Sequence, residues 1–312
     1  MKNRIAILGA TGHIAKGLIC NFIQSKGYKL FLFARSPQRV RDFLRDNALK
    51  RDISLAEFKG FPQEGYDIII NCIGIGTPHK LKDTAASIFS ITEEYDTMVM
   101  DYLTKSTQSC YINLSSGAVY GSSFTDPVSD TSVYSLRVND ITPEQYYGIA
   151  KINSEAKHRS RGDLNIVDVR IFSYFSRFID LHAGYFLTDL INSIKEKRDF
   201  LTTPCDFIRD YLHPHDLFAL IKLIMENRPS NGAFDAYSAE PVSKFTLLDY
   251  FAKTYALNYI IDDNLSLACP TGTKEVYCSQ SKRAAKLGYS PRFSSLETVM
   301  KESEFILGSI HE

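Results

Sequence analysis

Tyr147 and Lys151 stand four residues apart in the segment PEQYYGIAKINSEAKHR. A serine pair, Ser115 and Ser116, closes the apolar run SCYINLSS about thirty residues earlier. Positions i and i+4 share one face of a helix, so the tyrosine and the lysine would point the same way. A free tyrosine ionises near pH ~10, too high for easy proton exchange at neutrality. A neighbouring ammonium stabilises the phenolate and lowers that value. A serine at a strand end can hydrogen-bond a substrate oxygen and align it. Such a set suits a carbonyl/alcohol redox step, in which Tyr147 handles the proton while hydride passes between a cofactor and carbon. The Tyr-x-x-x-Lys spacing is common by chance, so the rest of the chain decides its meaning.

That chemistry needs a dinucleotide, and the segment GATGHIA, Gly9 to Ala15, has the context for one. It follows the apolar run RIAILG and opens a helical stretch, which is what makes a glycine motif informative. Gly9 permits the tight turn, and Gly12 lets backbone approach a pyrophosphate. The helix start offers free N–H groups and a positive dipole end. Ala15 replaces the third glycine and is small enough for close packing. Gly9, Thr11, Gly12, His13 and Ile14 are the candidate cofactor contacts, with His13 expected in the loop beside the phosphates. At the end of the second run, LFLFARSPQR, an acid would bind ribose hydroxyls and favour NAD, whereas an arginine favours the 2′-phosphate of NADP. Ala34 stands where the acid belongs, Arg35 follows, and Arg39 lies one helical turn on. An arginine grips a phosphate with two parallel hydrogen bonds. NADP(H) is therefore favoured, with NAD(H) open.

The elements that must carry these residues alternate. After RIAILG come a helix from about Ile14 to Lys26, the strand KLFLFA, and a charged helix near Pro37 to Lys50. YDIIINCIG reads as the third strand, TEEYDTMVMDYLTKS as a helix, SCYINLSS as a strand and PEQYYGIAKINSEAKHR as a helix. LNIVDVRIF is a further strand. Continuous apolar strands between helices predict an α/β fold, a Rossmann-type doubly wound parallel sheet covered on both faces. Beyond Ser173 the pattern loosens, with helical stretches GYFLTDLINSIKEK, HDLFALIKLIMEN, FTLLDYFAKTYA and LETVMKESEFIL. The expected organisation is a dinucleotide-binding domain over 1–172 plus about 212–236. A smaller mixed α/β substrate-binding lobe takes about 173–211 and 237–312.

Composition removes other classes. Lys plus Arg equals Asp plus Glu, so nothing favours nucleic acid or a membrane surface, though a local phosphate pocket stays open. No apolar run approaches the ~18 residues of a membrane span. The start MKNRIAILGATG runs straight into a strand, and no signal peptide is expected. Cys20, Cys72, Cys110, Cys205, Cys269 and Cys278 are scattered without paired spacing. They read as reduced thiols of a cytoplasmic protein, with no disulfide and no metal site.

Taken in order, several motifs resemble the extended short-chain dehydrogenase/reductases, the family of nucleotide-sugar epimerases, dehydratases and reductases, over nearly the whole length. GATGHIA is similar to the family's glycine motif, and NCIGIG to the fourth-strand motif near the cofactor, which implies contacts from Asn71 and Gly74. SSGAVYG resembles Ser-x-x-Val-Tyr-Gly, which makes Ser116 rather than Ser115 the catalytic hydroxyl. YGIAK supplies Tyr147 and Lys151. RIFSYFSR resembles the sixth-strand segment leading to the substrate lobe, and SKRAAKLGYSPRFSSLE the C-terminal segment. IRDYLHPHDL is similar to the Arg-Asp-Tyr-x-His-x-x-Asp-Leu motif of UDP-galactose-type epimerases. The resemblance implies that Arg209 binds a sugar-nucleotide diphosphate; the rival is a structural ion pair with Asp210 or Asp216. His213 and Asp216 match structural positions. Ser173 stands where many relatives have an asparagine that touches the diphosphate, and Lys274 offers a second positive charge. The helices around Glu93–Ser106 and Pro143–Arg159 resemble a pair that forms a homodimer through a four-helix bundle.

Family 4,6-dehydratases carry Asp-Glu after the catalytic hydroxyl. Here Gly117 and Ala118 stand there, neither able to move a proton. With no ribose-binding acid, the expected activity is an NADPH-dependent reduction of a keto-sugar nucleotide, at C4. The alternative is an NAD-dependent nucleotide-sugar 4-epimerase or 4-dehydrogenase. A non-catalytic NADP-sensing protein is the distant third.

Overall fold

The computed structural model describes residues 3–49, 53–75, 87–228, 230–265 and 274–308; Cys269 lies outside them. Chain order begins β1 (Asn3–Leu8), α1 (His13–Gln24), β2 (Tyr28–Phe33), α2 (Pro37–Asp46), β3 (Ile53–Ala56) and β4 (Ile68–Asn71). It continues α3 (Ile88–Lys105), β5 (Cys110–Ser116), α4 (Pro143–Arg159) and β6 (Asn165–Ile171). Then come β7 (Ser173–Tyr174), α5 (Phe186–Glu196), β8 (Phe200–Thr202), β9 (Ile208–Arg209), β10 (Tyr211–Leu212), α6 (Pro214–Asn227) and β11 (Asn231–Ala236). The last elements are β12 (Val242–Ser243), α7 (Lys244–Tyr255), β13 (Tyr259–Ile261), β14 (Val276–Tyr277) and α8 (Ser295–Leu307).

Seven strands form one sheet in the order β11-β6-β5-β4-β1-β2-β3. Every pairing in it is parallel. Parallel sheets need cover on both faces, which is why β4 and β5 are buried throughout and read as unbroken apolar runs. One face packs Ile5, Ile7, Ile70 and Ile112 against Leu18 and Phe22 of α1 and Leu217 and Ile221 of α6. The other packs Leu8, Ile69 and Tyr111 against Val99 and Leu103 of α3. Strand order reverses at β1, whose neighbours are β4 and β2. In open α/β sheets the crevice beyond the carboxyl ends of the strands at such a point is where ligands bind.

The strand ISLA is a correction to the sequence reading, which makes YDIIINCIG the third strand. ISLA forms the edge of the sheet beside β2, in parallel register from Leu30↔Ile53 to Phe33↔Ala56. It is four residues long and mostly half-buried, so it lacks the apolar run that announces the others. Beyond the large sheet, short strands β12-β9-β14 and β13-β8 pack with α5, α7 and α8 around Phe175, Leu190, Leu247 and Phe251. No helix of the described residues is long and apolar enough to cross a membrane.

Candidate active site

The carboxyl end of β1 leads into the glycine turn. Gly9 has φ +77°, a left-handed value that penalises any side chain. A Cβ there would also lie 3.2 Å from the backbone of Cys72, which follows β4. Gly12 caps α1 without a side-chain hydrogen bond, and no acid occupies the first turn. The helix therefore begins with unneutralised N–H groups beside a close backbone approach, and the residues present fit a dinucleotide pyrophosphate. His13, expected in a loop, lies in a helix. It is the first residue of α1, and its ring meets Tyr174 edge-on, with centroids 4.9 Å apart. Burial holds its imidazole down at about 4, so it is neutral and adds no cation to the turn. Ile14 packs against the core below the turn, and Thr11 is half-buried.

Past β2, Ala34 is buried while Arg35 and Arg39 are exposed. Among the described residues neither arginine forms an ion pair, and no carboxylate replaces Ala34. Asn71 turns its carboxamide inward: its amide donates to Tyr111 Oη at 3.0 Å and its oxygen accepts from Ile73 N. That side chain shapes the end of β4.

Ser116 is the last residue of β5, buried, and caps the 3-10 turn Gly117–Tyr120 by accepting from Ala118 N at 3.2 Å. Its Oγ also lies 3.3 Å from Tyr277 Oη of β14. The helix that carries the tyrosine–lysine pair starts where the sequence sets it. Thr142 and Gln145 form a capping box and Pro143 takes the first turn. One turn in, Gly148 lets α4 touch the turn after β5, since a Cβ there would sit 2.5 Å from Ala118 O. This close approach docks the helix on the strand end. Lys151, 4% exposed, then donates from Nζ to Leu114 O at 3.0 Å. The ammonium is 6.0 Å from the centre of the Tyr147 ring, and a Cβ at Gly74 would come within 3.8 Å of it. Tyr147 is half-buried against Ile88 and Ala150, and its hydroxyl makes no hydrogen bond within the described residues. The fold thus brings Tyr147, Lys151 and Gly74 together near the carboxyl end of β5, the strand that Ser116 closes.

Behind the trio, Ser115 Oγ donates to Glu155 of α4 at 2.7 Å, and Glu155 pairs with Arg170 of β6 at 2.6 Å. Arg170 donates to Tyr120 Oη, which donates to Asp235 of β11. This chain of contacts ties α4 to β5, β6 and β11.

The sequence of residues 5–238 matches the model of the NAD dependent epimerase/dehydratase family. The chain belongs to that family. No curated protein matches the sequence. Among solved structures, UDP-glucuronic acid 4-epimerase from Bacillus cereus, determined with UDP-glucuronic acid and NAD, is 15% identical with a TM-score of 0.80. The alignment covers 97% of this chain and 99% of that one. UDP-glucose 4-epimerase from Thermotoga maritima, with UDP-glucose, is also 15% identical, with a TM-score of 0.77 over 97% of this chain and 98% of that one. UDP-N-acetylglucosamine 4-epimerase from Methanobrevibacter ruminantium is 13% identical, with a TM-score of 0.78 over 98% and 99%. At such identities these likenesses show the shared fold.

As a member of the epimerase/dehydratase family, the chain has further candidate residues outside the trio. Ser173 pairs with Tyr211 in a two-residue parallel bridge. Arg209 lies 4.3 Å over the Phe207 ring and donates to the Ile208 and Glu275 carbonyls. The rival ion pairs are not formed: Asp210 accepts from Ser238 N, and Asp216 from Arg292 N and Phe293 N. The sequence reading missed Tyr277, Gly148 and Glu155. Gly148 stands three residues before Lys151 and Glu155 four after it on α4, so helical spacing could have found them. Tyr277, 161 residues from Ser116, left no local signal.

Proposed function

We propose that this chain is a nucleotide-sugar 4-epimerase that works by transient oxidation at C4. The observation that carries the reading is Tyr147, its hydroxyl unengaged, beside a buried Lys151 anchored on Leu114 O at the mouth of an uncapped glycine turn. The solved relatives support it, since the Bacillus cereus and Thermotoga maritima proteins are 4-epimerases and the former binds NAD. A bound nicotinamide would accept and return the C4 hydrogen with its electron pair. Tyr147 takes the C4 hydroxyl proton as the ketone forms and gives it back when the alcohol is restored on the other face. Lys151 holds positive charge beside the phenolate. Ser116 aligns the C4 oxygen, and Arg209 receives the diphosphate. The turn after Ser116 has no room for a dehydratase acid: a Cβ at Gly117 would lie 2.5 Å from the Phe172 ring.

A second reading, the NADPH-dependent keto-sugar reductase, draws on Arg35 and Arg39 and on the missing acid at Ala34. One experiment separates them. The dinucleotide released on denaturation is identified, and the protein is then offered UDP-glucose, UDP-glucuronic acid and UDP-N-acetylglucosamine. The epimerase reading expects retained NAD and inversion at C4 without net cofactor consumption. Exchangeable NADPH, consumed one for one with a 4-keto sugar, would replace it with the reductase.

We also propose a homodimer formed through α3 and α4. Between these helices lies an apolar surface cleft of about 290 Å³ lined by Phe89, Ala150 and Asn153, with Phe89 38% exposed. Light scattering should report about twice the chain mass of 35.3 kDa. A monomer at micromolar concentration would count against the pairing.

A further inference from the structure

Ser116 has one hydrogen to give and two lone pairs to fill. If its hydroxyl is to hold a substrate oxygen, that hydrogen must be free and pointed. One lone pair is filled by Ala118 N–H at 3.2 Å. The second nearby group is the Tyr277 phenol at 3.3 Å. Were Ser116 to donate to Tyr277, its only hydrogen would be used up inside the protein. Were Tyr277 to donate, both lone pairs would be filled and the hydrogen left in the remaining tetrahedral direction. A phenol is a stronger acid than an aliphatic alcohol, and the serine oxygen is the stronger acceptor, so the second arrangement is favoured.

We propose that Tyr277 is a positioning residue that donates to Ser116 Oγ and so aims the serine hydrogen at the substrate oxygen. The ring is held for this. Its centroid is 5.0 Å from those of both Phe124 and Phe172, and the Lys274 ammonium sits 4.1 Å over its face. Tyr277 is buried on β14, which pairs in parallel with β9, the strand of Arg209. The same short sheet therefore carries the candidate diphosphate ligand and the group that sets the Ser116 hydroxyl. Substrate seating and serine orientation are coupled through three hydrogen-bonded strands, β12-β9-β14.

The inference rests on the 4-epimerase reading. Its test is a double-mutant cycle on turnover of whichever nucleotide sugar the unmodified protein inverts, using S116A, Y277F and the double variant. Losing one oriented donor to a developing oxyanion costs about 10²-fold in kcat, which is the loss expected for S116A. Y277F keeps the ring contacts and should lose about 10-fold in kcat, with KM changed less than about 2-fold. Because Tyr277 acts through Ser116, the double variant should be no slower than S116A alone. Additive losses would overturn the proposal. So would a Y277F effect confined to KM or to melting temperature. A second variant, 3-fluorotyrosine at position 277, keeps the shape but loses its proton at lower pH. The alkaline limb of kcat should move down with it, and an unmoved limb argues against donation. Absence of turnover in the unmodified protein defeats the epimerase reading and this inference with it; turnover with additive variants defeats only the inference.

Discussion

Tyr147→Phe should lower turnover about 10³-fold, within the range that a positioned acid–base group contributes. The melting temperature should stay within about 1 °C, because Tyr147 makes no hydrogen bond to described residues and the phenyl ring keeps its packing on Ile88 and Ala150. Steady-state kinetics with the substrate found for the unmodified protein, alongside calorimetry, reads both quantities. The pairing of a large kinetic loss with no stability loss is what distinguishes a proton-transfer group from a packing residue. A loss smaller than about 10-fold would move the proton to another group and undo the role given to α4.

Asp168→Ala should remove about 3–5 kcal/mol of stability, the cost of breaking a buried ionic cluster by deleting one partner. Asp168 of β6 is fully buried and accepts from His158 Nδ1 at 2.9 Å, from Arg159 at 2.6 Å and from Asn113 at 2.8 Å. His158 meets Asp96 of α3 through Nε2 at 2.8 Å. Burial pushes the imidazole toward the neutral form, but hydrogen bonds and charge from Asp168 and Asp96 outweigh it and raise its pKa from 6.5 to about 9. A group whose folded pKa is raised stabilises fully below its unfolded value. The contribution, on the order of 3 kcal/mol, is then lost as pH climbs through about 9. Urea unfolding should show stability falling between about pH 6.5 and 9, and the slope should flatten in Asp168→Ala. An unchanged slope would mean that Asp168 is not what keeps His158 charged.

The cluster shows where sequence reading stops. α4 was legible to the residue, Pro143 to Arg159, because Thr142, Pro143 and Gln145 are local start signals and Lys157, His158 and Arg159 complement its last turn. The glycine turn was legible because strand, glycine and helix follow one another directly. His158 was not, because its partners sit on α3 and β6 and only the packing of those elements joins them. Likewise the ring contact between His13 and Tyr174, more than 160 positions along, left no local signal. The edge strand β3 was lost for a simpler reason: an edge needs little apolar pattern. Cofactor choice is the instructive tension. Arg35 and the buried Ala34 argue from charge for NADP in the proposed reductase, whereas the proposed epimerase takes NAD.

The position of β11 bears on how this chain is made. Its partner β6 ends at Ile171, but β11 begins only at Asn231, after α5, α6 and the short strands have been spelled out. On the ribosome the outer rim of β6 emerges with its amides and carbonyls unclaimed, and stays so until that later stretch has left the tunnel. An unclaimed rim of this kind invites a neighbouring nascent chain to pair in its place. Biogenesis of this protein should be most vulnerable in that interval, and truncations that stop before Asn231 should precipitate rather than persist as a lone N-terminal half.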